Sequence, residues 1–347
     1  MTESVENMQA GSPRERALRD LLRAAERGDV DVVRAVLDDY PDVINERGTL
    51  EGHAGRRTAL HVGVHHVEVV RTLLERGADP NIRDEGDNAF PLHFAAERGD
   101  LPMVKLLVEH GAQTTAGEVD DHGLDIIGWA TVFPGIEIKP DVVGYLLAHG
   151  ARHTLHSAVA VGDVNAIRLR AHEDPSALER PLDIVNRRRR ALHLAVVKKQ
   201  PASLEALLDL GADPDAGDAG GLTPLDEAAL AGETAMVEKL LRRGAHLTLA
   251  SAVALGRMDD AAKLLEADPG AFRPGGRWGT LIVKAAANAP GHVIDALVRL
   301  GASVDVSETP ATSIDGTHGY TALHAAAYHG NVEALEALLK HGARTTA

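Results

Sequence analysis

Six basic side chains between positions 187 and 199 are the densest group of chemically active residues in the sequence. They stand out because the chain is acidic, with 51 Asp and Glu residues against 36 Lys and Arg and a formal net charge of −15. Arginine binds carboxylates and phosphates through paired hydrogen bonds, so the group predicts a docking point for an anionic group or an acidic partner surface. The alternative is a solvated loop that nearby carboxylates neutralise. The six residues are Arg187, Arg188, Arg189, Arg190, Lys198 and Lys199.

A second group combines acidic, imidazole and indole side chains. Asp121, His122 and Asp125 precede Trp129, and the residues that follow, 131–141, form an irregular stretch with two prolines. A carboxylate beside an imidazole can bind a cation or move a proton, which would suit an enzyme or a small-ligand site with an aromatic wall. In the alternative, Asp125 caps a helix and Trp129 fills the core with its N–H bonded to a neighbour.

Clustered histidines raise the question of a metal site. His61 and His65 are four residues apart, His66 is adjacent, and His93 lies further along the chain. Helical histidines at this spacing can bind zinc, but no third ligand at a fixed spacing is visible. His65 and His66 are therefore weak metal candidates, and structural or solvent-facing histidines are the favoured interpretation. We expect no bound metal and no other cofactor.

The composition argues against several classes of protein. No cysteine is present, which excludes disulfides, thiolate nucleophiles and cysteine-ligated zinc. Strong acidity and only 3% aromatic residues argue against binding to nucleic-acid phosphates and bases. The N-terminal residues lack the apolar segment of a signal peptide, and no apolar run reaches the roughly 18 residues that a membrane span needs. These features predict a cytoplasmic protein, and the Ala-, Arg-, Gly- and Asp-rich usage suggests a bacterial source.

Two phrases recur in a fixed order along the chain. Leu60 and Leu92 in the first phrase are 32 residues apart, and Leu192 and Leu225 are 33 apart. The first phrase reads TALH at 58–61, FPLH at 90–93, RALH at 190–193, TPLD at 223–226 and TALH at 321–324. The second ends in a glycine followed by an alanine, with the glycine at 77, 111, 150, 211, 244, 301 and 342.

Each phrase has a physical meaning in a pair of helices. The hydroxyl of Thr223 can cap a helix, and Pro224 suits its first turn, where a missing N–H costs nothing. Gly232 can end this short Ala-rich helix in the left-handed conformation. A second helix follows, with apolar residues three and four apart, and ends at Gly244. The phrases therefore predict helix–turn–helix units that bury their apolar sides against the next unit.

This order of features resembles the ankyrin repeat, which has a period of about 33 residues and a T-P-L-H-x-A signature. The resemblance implies an all-α solenoid of about ten stacked helix–turn–helix units with projecting hairpin-like loops, which we call fingers. It also implies a concave groove lined by the fingers and the first helix of each unit. The histidines of the first phrase would then make structural hydrogen bonds; they are His61, His93, His193 and His324.

Three variant units depart from the pattern, and each is expected to open a larger block. The sequence predicts a disordered tail over 1–16, then blocks of repeats at 17–151, 152–246 and 247–347 within one continuous solenoid. Each variant unit places a proline 13 residues after a glycine, in the pairs Gly28 and Pro41, Gly162 and Pro175, and Gly256 and Pro269.

A stacked array of this kind predicts a non-enzymatic scaffold that binds another protein through the groove and the fingertips. Its rigidity lowers the ordering cost of association. The alternative is an enzyme or a small-ligand or metal binder that uses the irregular fourth repeat. Besides the six basic residues, the predicted contacts are Glu97, Arg98, Asp121, His122, Asp125, Trp129, Tyr328 and His329.

Overall fold

A computed structural model describes residues 12–53, 55–115, 120–133, 137–182, 188–273, 276–308 and 319–345. Over these residues the chain forms twenty α-helices, two short 3₁₀ turns (Pro41–Val43 and Pro175–Leu178) and one hairpin of two short strands. The all-α prediction is confirmed. Within the same ranges, no helix combines the length and apolarity that crossing a bilayer requires.

The chain forms two compact units, residues 1–157 and 158–347. Helix α9 (Leu155–Val161) contains the boundary between them. Unit 1 contains α1 (Pro13–Arg27), α2 (Val30–Asp39), α3 (Ala59–Val62), α4 (Val67–Glu75), α5 (Pro91–Arg98), α6 (Leu101–Glu109), α7 (Ile126–Trp129) and α8 (Pro140–Ala148).

Unit 2 carries the remaining helices and the hairpin. Strand β1 (Ser307–Glu308) pairs antiparallel with β2 (Tyr320–Thr321) at the base of the last finger. The helices are α10 (Val164–Glu173), α11 (Ala191–Val197), α12 (Pro201–Asp209), α13 (Pro224–Leu230), α14 (Thr234–Arg242), α15 (Leu249–Ala254), α16 (Met258–Ala267), α17 (Leu281–Asn288), α18 (Gly291–Arg299), α19 (Ala322–Tyr328) and α20 (Val332–Lys340).

Helix α1 corrects the predicted N-terminal boundary. The Ser12 hydroxyl accepts a hydrogen bond from Glu15 N at 3.2 Å, and the Glu15 carboxylate accepts one from Ser12 N at 2.7 Å. This capping box starts the helix at Pro13, so the predicted tail over 1–16 was wrong for residues 13–16. Residues 1–11 lie outside the described ranges.

Within each unit the helix pairs stack in two layers. In unit 1, the first helices α1, α3, α5 and α7 contact one another in order, and the second helices α2, α4, α6 and α8 do the same. In unit 2, α11, α13 and α15 form a run of first helices beside α10, α12 and α14, and α17 packs on α19. Side chains such as Leu204, Leu225 and Leu240 are fully buried between neighbouring pairs. Each buried leucine contributes about 1.5–3 kcal/mol, so stability comes from many contacts between neighbours.

Two histidines of the first phrase, His61 and His193, join their repeat to the next. His61 Nδ1 accepts from Thr58 N at 3.3 Å, and its Nε2 donates to the Ala89 carbonyl of the next finger at 3.1 Å. His193 makes the equivalent bond to the Leu222 carbonyl at 2.9 Å. Burial lowers the pKa of His61 to about 4, so the ring is neutral at pH 7. These rings have the structural role that the resemblance implied.

Asn331 offers a test of how strongly neighbouring repeats are joined. Its Oδ1 caps α20 through Ala334 N, and its Nδ2 donates to the carbonyls of Ala286 and Ala289 in the preceding repeat at 3.0 and 2.8 Å. Asp163 stands at the equivalent place and caps α10. We expect Asn331→Ala to lower the free energy of unfolding by about 2–3 kcal/mol and Asp163→Ala by about 1 kcal/mol. Urea unfolding followed by far-UV circular dichroism measures both, and equal losses would contradict the difference.

Candidate partner-binding surface

The arginine run of unit 2 is partly used inside the protein. Arg189 donates from Nε and Nη2 to Glu227 Oε1, at 2.9 and 2.7 Å, and its side chain is only 14% exposed. Arg190 Nε lies 3.4 Å from a carboxylate oxygen of Glu179 and also donates to the Glu179 carbonyl. Arg188 is exposed, with a left-handed φ of 51°. Arg187 lies outside the described residues.

The two lysines differ in their surroundings. Lys199 Nζ lies 2.8 Å from Glu233 Oε1, so a carboxylate of the next repeat neutralises it. Lys198 is half-buried, and burial together with the charge of Arg189 lowers its pKa to about 8. The neutralised-loop alternative thus describes Arg189, Arg190 and Lys199. Arg188 is exposed, and both Arg188 and Lys198 stay predicted contacts for an anionic partner.

Exposed side chains gather at the ends of the first helices of unit 2. Tyr328, the last residue of α19, is 75% exposed, and the ring of His329 meets it edge-on at 5.1 Å. Burial lowers the pKa of His329, and the charge of Arg189 adds to this effect. Val197, the last residue of α11, is 37% exposed. Lys198 and His329 thus follow the last residues of two first helices of unit 2.

In unit 1 the predicted aromatic wall is a packed cluster. Trp129 is 3% exposed, and its indole N–H donates to the Asp120 carboxylate. Its ring lies edge-on to Phe94 at 5.0 Å and to Phe133 at 5.2 Å. Asp120 also accepts from Leu124 N at 2.7 Å, which shapes the finger before α7. These contacts match the core-filling alternative for Trp129.

The acidic residues near Trp129 join two fingers. His122 Nε2 lies 3.3 Å from Asp87 Oδ1, and Arg57 Nη2 donates to Asp87 Oδ2 at 2.9 Å. The hydrogen bond from His122 holds the pKa of Asp87 below its ordinary value. Asp121 is exposed, and its backbone N–H donates to the Asp87 carbonyl at 3.1 Å. Glu97 is half-buried at the end of α5, and burial raises its pKa, followed by the charge of Asp87.

Asp125 caps α7 and reaches the following repeat. Its Oδ1 accepts from Gly128 N at 2.6 Å, and its Oδ2 accepts from Thr154 N at 3.2 Å. Desolvation raises the pKa of this carboxyl to about 7, since burial disfavours the charged form. The arrangement matches the helix-cap alternative, with an additional link between repeats.

Among the residues that the structure describes, the weak metal candidates His65 and His66 are not part of a cluster of metal-ligating side chains. His66 Nε2 lies 2.9 Å from the Glu26 carbonyl of the first repeat. His65 is exposed, and partial burial and then Arg98 lower its pKa. Over the described ranges, no group of three or more His, Asp or Glu side chains is placed to hold a metal ion.

A row of arginines on α1 was missed at the level of sequence. Arg19, Arg23 and Arg27 are exposed, and no salt bridge joins them to a carboxylate among the described residues. Arg98, at the end of α5, is exposed as well. The signal for this row in the sequence is the spacing of four residues between the arginines, which places them on one face of a helix.

Two family profiles match the chain. One, described as ankyrin repeats (many copies), matches residues 60–108. The other, described as ankyrin repeats (3 copies), matches residues 155–251 and 249–347. Together the two profiles cover the repeats of both units in which the two recurring phrases are clearest.

Three curated proteins illustrate the similarity. Palmitoyltransferase AKR1 of Lachancea kluyveri is 26% identical over 230 residues, which is 64% of this chain and 26% of that protein. Protein PhlB of Serratia liquefaciens is 37% identical over 99 residues, covering 28% of this chain and 41% of its own length. The nuclear factor NF-kappa-B p105 subunit of Gallus gallus is 30% identical over 213 residues, which is 60% of this chain and 18% of that protein. The chain thus spans less than half the length of each of these relatives.

The Asp125 carboxyl gives a prediction on pH. Its folded-state pKa of about 7 lies above the ordinary value of 3.8, so between these values the folded state holds a proton that the unfolded state has released. The contribution of this carboxyl to stability is therefore present at low pH and is lost as the pH rises from about 4 to about 7. Over that range the free energy of unfolding falls by at most about 1.4 kcal/mol per pH unit.

Asp125→Asn keeps a capping oxygen but cannot titrate. We expect the stability of the wild type relative to this variant to fall as the pH rises from about 4 to about 7 and to stay constant above that. Urea unfolding across this pH range measures the difference, and a constant difference would contradict the raised pKa.

Proposed function

Because the chain belongs to the ankyrin-repeat family, we propose that it is a non-enzymatic module that holds a partner protein on the face formed by its first helices and fingers. Ankyrin repeats generally mediate protein–protein interaction. The relatives carry names as different as a palmitoyltransferase and a nuclear factor subunit, and each shares only part of its length with this chain. A segment shared by proteins with such different names supports a role in recognition rather than in one reaction.

The observation that carries this proposal is the exposure of Tyr328 at the end of a first helix. A tyrosine that is 75% exposed leaves a large apolar ring in water, and aromatic residues are enriched in protein interfaces. Val197 ends another first helix and is also exposed. Lys198 and His329 follow these two residues in sequence, so apolar and titratable groups occur side by side.

The proposed contact surface in unit 2 combines these residues with the arginine finger. Arg188 is exposed at the finger. Arg189 is bound to Glu227, and we assign it a role in positioning the finger. In unit 1, the exposed Arg98 and Asp121 and the half-buried Glu97 are the proposed contacts. An anionic partner segment at the arginine finger, a scaffold role, a cytoplasmic location and a bacterial source remain predictions from the sequence.

The fourth repeat is proposed as structural rather than catalytic. The polar groups of His122 and Trp129 bond to the carboxylates of Asp87 and Asp120, and Asp125 bonds to two backbone N–H groups. A general acid or base must reach a proton of its substrate, and these groups already hold partners within the chain. The contacts therefore support a role in fixing the fingers.

Site-specific photocrosslinking tests the proposed face. p-Benzoylphenylalanine at position 328 is expected to give a discrete adduct in a lysate of the source organism. The same group at position 169, which is 51% exposed on the second helix α10, is the matched control and is expected to give none. Equal adducts from both positions, or an adduct from position 169 alone, would contradict the proposal.

The affinity for the crosslinked partner tests how much Tyr328 contributes to binding. Tyr328→Ala is expected to weaken binding of the crosslinked partner about tenfold or more, because truncating an aromatic anchor typically costs over 1 kcal/mol. Leu169→Ala removes a comparably exposed apolar side chain from the other layer and should leave the affinity unchanged. Titration of each purified variant with the partner measures both.

A further inference from the structure

Helix α1 presents a row of positive charge on one face. Arg19, Arg23 and Arg27 are four residues apart, so their side chains lie one above another with a rise of about 5.4 Å per turn. All three are exposed. At 15 residues, α1 is long enough to carry the whole row, whereas the other first helices have eight residues or fewer.

The row lies on the first-helix face. Gly28 ends α1 as Gly99 ends α5, so Arg23 occupies the place of Phe94 and Arg27 the place of Arg98. In the third repeat, Phe94 contacts Trp129 and is covered by a guanidinium. The arginine row is therefore part of the first-helix face of unit 1, at its first repeat.

The carboxylates nearest to the row are bound elsewhere or stand apart from it. Glu15 is held in the capping box, and Glu26 Oε1 lies 2.8 Å from His53 Nε2. Asp20 is exposed, and no salt bridge joins it to the row among the described residues. By contrast, Arg14 on the same helix is within salt-bridge distance of both Asp42 and Glu46. Among the described residues, no salt bridge thus joins the row to a carboxylate, while Glu26 and Glu51 line the groove beside it.

A groove runs beside the row. It has a volume of about 560 Å³ and is lined by the three arginines, by Glu26 and by a wall of the first finger, residues 49–51. Leu50 is half-buried on that wall and offers an apolar contact, and Glu51 is its exposed carboxylate. An extended segment would therefore meet guanidinium groups on one side and a mixed wall on the other.

We propose that the row of Arg19, Arg23 and Arg27 docks an acidic peptide segment of a partner protein. Carboxylates match the forked donors of arginine, and alternate side chains of an extended strand repeat every 6.6 Å or so, close to the spacing of the row. Because the whole chain carries a net charge of −15, an acidic segment is repelled by most of the surface and attracted here. The proposal rests on the proposed function only in taking a protein segment as the occupant.

Direct binding to a synthetic probe tests the proposal. A fluorescein-labelled oligoglutamate peptide is titrated with the purified chain at low salt, with an oligoglutamine peptide of equal length as the neutral reference. We expect fluorescence anisotropy to report binding of the acidic probe that weakens as salt is raised. The double variant Arg19→Glu, Arg23→Glu should bind at least about tenfold more weakly, because two attractive pairs become repulsive.

The control variant carries the same change in net charge at another place. Arg242 and Arg299 are exposed on the second helices α14 and α18, and Arg242→Glu, Arg299→Glu should leave the affinity within about twofold of the wild type. All four substituted arginines are exposed, so circular dichroism melting curves should show that the variants fold like the wild type.

Three results would overturn the proposal. Equal affinity for the acidic and neutral peptides would show that the row does not recognise charge. An equal loss of affinity in both double variants would show a general effect of net charge. Binding of pyrophosphate, measured by isothermal titration calorimetry, without binding of oligoglutamate would assign the row to a phosphate-bearing ligand. None of these results changes the crosslinking expected at position 328, so this proposal and the proposed function can fail separately.

Discussion

The hydrogen bond from a first-helix imidazole to the carbonyl of the next finger is the contact on which the stacking of standard repeats depends. His61 and His193 each use one nitrogen for their own helix start and the other for the neighbouring repeat. Leaving such a buried group unpaired costs about 1–3 kcal/mol, so a repeat that slips loses this bond together with its apolar contacts. His93 marks the irregular junction: among the described residues its Nε2 has no hydrogen-bond partner, and its ring lies edge-on to Trp129 at 5.4 Å.

Where a variant unit follows, a carboxylate takes over the link. A variant unit starts its first helix directly after the preceding glycine and alanine, so it presents backbone N–H groups instead of a finger carbonyl. Asp125 accepts from Thr154 N, and Asp226 accepts from Ser251 N and the Thr248 hydroxyl. Burial raises the pKa of both carboxyls. At these junctions the variant unit supplies N–H donors, so the side chain of the preceding repeat must be a hydrogen-bond acceptor instead of a donor.

The fold was predictable from sequence because its signals are local, whereas the site depends on pairings between repeats. Thr223, Pro224 and the glycines mark helix ends wherever they occur, and each position can be interpreted without its neighbours. The partner of Arg189 is Glu227, one repeat further along the chain, and no local pattern identifies it. The same limit applies to Asp120 and Trp129, whose bond depends on how a finger folds back onto its own helix.

The position after the histidine of the first phrase shows how the family pattern leaves room for function. Capping residues and glycines are constrained by the backbone, but this position faces the first-helix side and varies in chemistry from repeat to repeat. Where the array supplies a partner, as for Glu227 with Arg189 and for the buried Lys284, which donates to the Gly220 carbonyl, the charge becomes structural. Arg23 on α1 forms no salt bridge among the described residues, and its charge is exposed to solvent. The sequence position is therefore the same, and the neighbouring repeat decides which role the side chain takes. The residues at this position include Arg23, Val62, Phe94, Trp129, Leu194, Glu227, Lys284 and Ala325.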